Sequence, residues 1–255
     1  MDIPLPEEVT TYLEELVTRV SEYLGDELVG IYLFGSAGYQ AFEPGQSDLD
    51  VQAVVKVPLS IEKKQSITEI LTHKALPCPA IKLEFVVYAH GTVSPASRHP
   101  RFELNLNTGR SQADHVSFDP VEESSHWFLL DIAMGRETGR SLYGPPPTDT
   151  FAAIPVEWTL EAIADSLEWH RANEFSSANS VLNACRGWRF AVTYSFGSKL
   201  AGAEWALHQE DCPSVVKDAI AARKTGETLP AADVLHLYDV VVEAVQAKQQ
   251  QTPSR

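Results

Sequence analysis

Apolar residues recur at helical spacing from the start of the chain, at Val9, Leu13, Leu16, Val17 and Val20, and Gly25 follows as a C-cap, predicting a helix over 7–24. Strand patterns follow near 28–34, 47–56 and 80–88. Between the last two lies a helical stripe near 60–74, with Ser60 as N-cap and Ile67, Ile70 and Leu71 on its apolar side. Residues 91–120 are irregular and polar, except that Phe102-Glu103-Leu104-Asn105-Leu106 alternates as a short strand at a sheet edge would. Glu122 to Arg136 reads as a helix with Trp127, Leu130 and Met134 on one stripe, before Gly144-Pro145-Pro146-Pro147 halts regular structure. The order predicts a small mixed sheet with helices packed on one side.

From Glu157 onward strand signals vanish. Leu160, Ile163, Ala164 and Leu167, then Val181, Cys185, Trp188 and Val192, then Val234, Leu237, Tyr238 and Val241 recur at helical spacing, predicting a bundle. The fold class is therefore α+β, divided near 1–150 and 151–255, with a polar tail from Lys248 to Arg255 expected to fray.

Chemistry concentrates in the first part. The run Ile31 to Phe34 stops at Gly35-Ser36, and the next strand-like run carries Asp48 and Asp50. Side chains alternate across a strand, so these carboxylates share one face while Leu49 and Val51 take the other. Two carboxylates so placed repel each other unless a hard divalent cation lies between them, and Mg²⁺ favours carboxylate and phosphate oxygens. Gly35 allows close approach of a phosphate, to which the Ser36 hydroxyl and neighbouring N–H groups can donate. In the third strand Ile81, Leu83, Phe85 and Val87 form a core face, leaving Glu84 opposite with Lys82. If that strand lies beside the Asp48/Asp50 strand, Glu84 completes an acidic triad. In the helical part Asn179, Asn183 and Arg186 form a polar stripe at i, i+4 and i+7.

Composition narrows the classes. A net charge of −15 opposes non-specific nucleic-acid binding and suits a cationic small molecule. Three dispersed cysteines, Cys78, Cys185 and Cys212, form neither a disulfide framework nor a zinc motif. Without a leader-like N-terminus or an apolar span of bilayer length, a cytoplasmic monomer without membrane contact is expected. His126 with Asp131, His170 with Glu168 and Glu174, and His208 with Glu204 lack a zinc ligand set and are expected at the surface or lining a cleft. Trp169 and Trp205 stand at spacings where aromatics fill cores.

Gly35-Ser36, Asp48-x-Asp50 and the later Glu84 make the chain resemble the polymerase-beta-like nucleotidyltransferases. More closely it resembles the aminoglycoside 3″/9-O-adenylyltransferases, through Leu33 to Val54, Leu83-Glu84-Phe85, Asn105 to Gly109, Val181 to Arg186, Ser198-Lys199 and Glu204-Trp205-Ala206. The resemblance implies a polymerase-beta-like domain followed by an α-helical domain, and transfer of AMP from ATP to a hydroxyl of spectinomycin or streptomycin. It implies Mg²⁺ on Asp48, Asp50 and Glu84, with Glu84 as base, and phosphate contacts from Gly35, Ser36, Asn183, Arg186 and Lys199. Acceptor contacts are expected from Glu168, Trp169, Glu174 and Asn179, with the acceptor between the domains. The resemblance departs in a Gly-Ser to Asp-x-Asp loop one residue longer and in acidic positions lost upstream of the Arg186 helix. Two alternatives stay open: the same chemistry on another hydroxylated acceptor, and a non-catalytic nucleotide-sensing or antitoxin-like binding protein.

Overall fold

The computed structural model describes residues 5–251. Two compact units divide it, Met1–Ile154 and Pro155–Arg255. The first runs α1 (Glu7–Leu24), β1 (Leu28–Leu33), α2 (Gly35–Gly38), β2 (Leu49–Val55), α3 (Ile61–Leu71), β3 (Lys82–Ala89), α4 (His90–Val93), β4 (Phe102–Gly109), β5 (Gln112–Ser117), α5 (Ser125–Thr138), β6 (Arg140–Tyr143) and α6 (Pro147–Thr150). The second is α-helical: α7 (Val156–Asn173), α8 (Ala178–Thr193), α9 (Lys199–Ala206), α10 (Val215–Thr225) and α11 (Ala231–Gln251). None of the described helices is long and apolar enough to cross a membrane.

Among the described residues six strands lie in the order β5-β4-β3-β2-β1-β6, and only β2 and β3 run parallel. A parallel neighbour needs a crossover, and α3 supplies it. Its start is set by Ser60, whose side chain accepts from the Lys63 N–H, and Gly25 closes α1 at a φ of +49° with its N–H on Ser21 O. Val9, Leu13, Leu16 and Val20 of α1 and Ile67 and Leu71 of α3 bury one sheet face with Ile31, Leu33, Leu49, Val51, Leu83, Phe85 and Val87. The alternate residues Tyr32, Phe34, Val54, Val86 and Tyr88 make a second core with Phe128 and Ile132 of α5 and Phe151. Helices therefore cover both faces, not one, because β1–β3 carry apolar residues on both sides over part of their length.

Further differences from the sequence expectations have local causes. The strand at 102–106 extends to Gly109 and is interior, since β5 pairs beyond it and β6 closes the other edge. All of β5 but Ser117 is exposed, so it has no apolar alternation to reveal it. The end of α8 leaves Val192 half exposed. The tail is helical through Gln251, with the Lys248 ammonium 4.5 Å from the centre of the Tyr194 ring; 252–255, like the initial 1–4, lie outside the described residues.

The second core is tight where α5 crosses Phe34. A Cβ built on Gly135 would overlap the Phe34 ring, which in turn packs against Phe151 at 5.4 Å between centroids. Gly135→Ala is therefore expected to lower stability by about 1–3 kcal/mol despite its better helix propensity. Urea denaturation checks this: the midpoint should fall at unchanged slope.

Candidate active site

Parallel pairing sets Asp50 directly opposite Glu84, with Leu49 opposite Leu83 and Val51 opposite Phe85. The apolar partners turn into the first core and the carboxylates out of it. Asp48, one residue before β2, joins them, and one ligand oxygen from each of the three half-buried side chains lies within 4.8 Å of the others. The condition set by the sequence, that the Glu84 strand lie beside the Asp48/Asp50 strand, is met.

Gly35 completes the arrangement. The Phe34 N–H bonds to Asp50 O at 2.8 Å, bringing the end of β1 against β2, and Gly35 then turns at a φ of +56°. A Cβ there would fall on Asp50 Oδ2, so glycine is required both for the backbone angle and for the space. The neighbouring Ser36 Oγ is buried and meets no hydrogen-bond partner among the described residues. A buried hydroxyl is costly to leave unbonded, so it is suited to an oxygen-rich ligand.

Lys82, two residues before Glu84 on the same face, forms an ion pair with it. Burial disfavours the Lys82 charge, but Glu84, followed by Asp48 and Asp50, outweighs burial and raises its pKa above the ordinary lysine value. One ammonium facing three carboxylates leaves negative charge uncompensated. The donor set is all oxygen, the chemistry that suits Mg²⁺. The sequence placed Lys82 beside Glu84 but gave it no role; the i, i+2 strand spacing was the available signal.

In the helical unit one hydrogen-bonded network gathers six of the residues singled out from sequence. Arg186 Nη2 donates to Asn183 Oδ1 at 2.7 Å, Asn183 Nδ2 reaches Asn179 Oδ1 at 3.2 Å, and Lys199 Nζ donates to that same oxygen at 2.7 Å. Asn179 Nδ2 donates to Glu174 Oε1 at 2.6 Å, and His170 Nδ1 lies 2.6 Å from it. His170 and His126 are buried, so the surface alternative fails for both, whereas His208 is exposed. Glu168 is exposed, with Arg171 at 3.7 Å, and Trp169 meets the His170 ring edge-on at 5.3 Å. Trp205 packs edge-on against Trp188 at 5.3 Å. The i, i+4 spacing of His170 and Glu174 was the signal for their pairing.

The triad thus gathers at the start of two adjacent parallel strands, beside the Gly35 turn. Residues 149–246 match the family model "Aminoglycoside adenylyltransferase, C-terminal domain". Similar curated proteins are an aminoglycoside (3″)(9) adenylyltransferase of Escherichia coli, 27% identical over 212 residues (79% of each chain), and a spectinomycin 9-adenylyltransferase of Staphylococcus aureus, 29% identical over 199 residues (74% of each). A solved spectinomycin adenyltransferase from Enterococcus faecialis, crystallised with ATP and spectinomycin, shares the fold at a TM-score of 0.69 and 19% identity, over 91% of this chain and 99% of that one. The chain is thus similar to the aminoglycoside adenylyltransferases over about three quarters of its length, and residues 149–246 match that family's C-terminal domain.

Glu174 offers a test of the helical network. The hydrogen bond from His170 holds its pKa below the ordinary glutamate value against the opposing effect of burial, helped by Asn179 and the Lys199 charge. A depressed carboxylate stabilises the fold above its unfolded pKa, and that contribution is lost as pH falls through the lower folded value. Glu174→Gln is expected to cost about 1–3 kcal/mol near pH 7. Thermal unfolding across pH should show the gap between variant and wild type closing below about pH 4.

Proposed function

We propose that the protein transfers AMP from ATP to a hydroxyl of a small polycationic acceptor, an aminoglycoside of the spectinomycin or streptomycin type, and releases pyrophosphate. The observation that carries this reading is the Asp48/Asp50/Glu84 cluster beside Gly35 and the unbonded Ser36 hydroxyl. The relatives' named activities, and the ATP and spectinomycin bound in the Enterococcus structure, support the choice of donor and acceptor. ATP supply and the three free cysteines favour the cytoplasm.

Asp48, Asp50 and Glu84 would hold Mg²⁺, which when bound screens triphosphate charge and acidifies a coordinated hydroxyl. The Gly35–Ser36 backbone N–H groups and the Ser36 hydroxyl donate to the β and γ phosphates. The acceptor oxygen forms a bond to the α phosphorus, and the bond from that phosphorus to the oxygen bridging to the β phosphate breaks, that oxygen leaving with pyrophosphate. The proton of the attacking hydroxyl passes to the Glu84 carboxylate. Arg186 and Lys199, oriented through Asn183 and Asn179, offset charge on the leaving group. Glu168, Trp169, Glu174 and Asn179 serve the acceptor, the last two while also holding Lys199 in place.

Incubation with ATP, Mg²⁺ and either drug should give a drug heavier by one AMP in mass spectrometry. Glu84→Gln should lower kcat by roughly 10² to 10⁴ with little change in KM for ATP, whereas Arg186→Ala should raise that KM. Pyrophosphate release with only a different hydroxylated compound would overturn the acceptor, and an unchanged kcat in Glu84→Gln would overturn the base.

A further inference from the structure

The cross-strand register carries the triad's row of residues further. Asp50 faces Glu84, Glu84 faces Asn107 on β4, and Asn107 faces His115 on the edge strand β5, so one row of polar side chains crosses four strands on one sheet face. The row then connects to a carboxylate remote in sequence. His115 Nε2 lies 2.6 Å from Glu123 Oε1, Asn105 Nδ2 reaches the same oxygen at 3.4 Å, and Asn107 Nδ2 donates to Asn105 Oδ1 at 3.2 Å. All three contacts converge on or lead to one oxygen of Glu123, whose side chain is 23% exposed. Asn105, by contrast, is 7% exposed on an interior strand, a place where a polar side chain persists only if its hydrogen bonds are met.

Direction of attack decides what lies over this row. Phosphoryl transfer places the attacking and leaving oxygens roughly in line on opposite sides of the phosphorus. The Gly35–Ser36 turn follows β1, on the far side of β2 from β3, whereas Glu84 stands on β3 itself. With pyrophosphate leaving over Gly35 and Ser36, the acceptor enters from the opposite direction and extends over β4 and β5.

We propose that Glu123, held by His115 and Asn105, binds an ammonium group of the acceptor and selects for a multi-ring polycation. This rests on the adenylyl-transfer reading above. Two strand spacings separate Glu84 on β3 from His115 on β5, about 10 Å, a distance that a single sugar ring does not span. The selected ligand carries its cationic group on a ring other than the one bearing the attacked hydroxyl, or on that ring's far side in a fused system. His115 and Asn105 occupy one carboxylate oxygen and fix the group's orientation, and a charge-assisted bond to the acceptor forms on what remains.

Steady-state kinetics of Glu123→Gln with spectinomycin and with streptomycin, beside wild type, tests this. The expected result is a KM for the drug raised about 10-fold or more, KM for ATP and melting temperature unchanged, and a shallower rise of drug KM with salt than in wild type. A purely structural Glu123 would move the melting temperature and both KM values together. If Glu123→Gln fails to fold, Asn107→Lys, at a partly exposed position, places a competing ammonium in the same track and must raise drug KM likewise. A drug KM within twofold of wild type in a folded variant overturns the inference alone. Wild-type protein that adenylylates neither drug overturns the acceptor reading and this inference with it.

Discussion

The register between β2 and β3 is the constraint on which the rest of the first unit depends. Pairing Leu49 with Leu83 and Val51 with Phe85 buries four apolar side chains in the core shared with α1 and α3. The same register obliges Asp50 and Glu84 to stand together on the other face. A slip by one residue would send the carboxylates into that core and the apolar residues out of it, a change costly for every side chain involved. Hydrophobic burial thus supplies the free energy that holds like charges together. Gly35 acts in the same direction, since the close approach of its backbone to Asp50 is possible only without a Cβ.

The pairing also explains how negative charge is handled. Lys82 neutralises part of the triad from within its own strand, leaving room for a cation of higher charge. In the helical unit the balance is reversed. Arg186 and Lys199 are cations held by amide oxygens of Asn183 and Asn179, and the carboxylate of that hydrogen-bonded network, Glu174, is engaged by His170 and Asn179. Amide partners orient a cation without neutralising its charge.

Much of this was legible in the sequence, for physical reasons that differ by element. Alternation around Leu83-Glu84-Phe85 exposed the face on which Glu84 stands, and the i, i+2 spacing of Asp48 and Asp50 anticipated their sharing a face, although Asp48 lies one residue before β2. The Asn179, Asn183 and Arg186 stripe was visible at helical spacing. What was not legible depended on pairing across long separations. The exposed residues of β5 give no alternation, so the sheet edge was placed one strand too early and the link from Asn107 through His115 to Glu123 went unseen. The second core was likewise missed because Phe34, Phe128 and Phe151 are far apart in sequence and meet only once α5 has crossed the sheet.

Binding of Mn²⁺ as a stand-in for Mg²⁺, followed by electron paramagnetic resonance in the presence of a non-hydrolysable ATP analogue, tests the central claim most directly. The account predicts stoichiometric Mn²⁺ binding by wild type, lost or weakened at least tenfold in folded Asp48→Asn and Asp50→Asn, since each removes an anionic oxygen ligand. Undiminished Mn²⁺ affinity in both variants would contradict it.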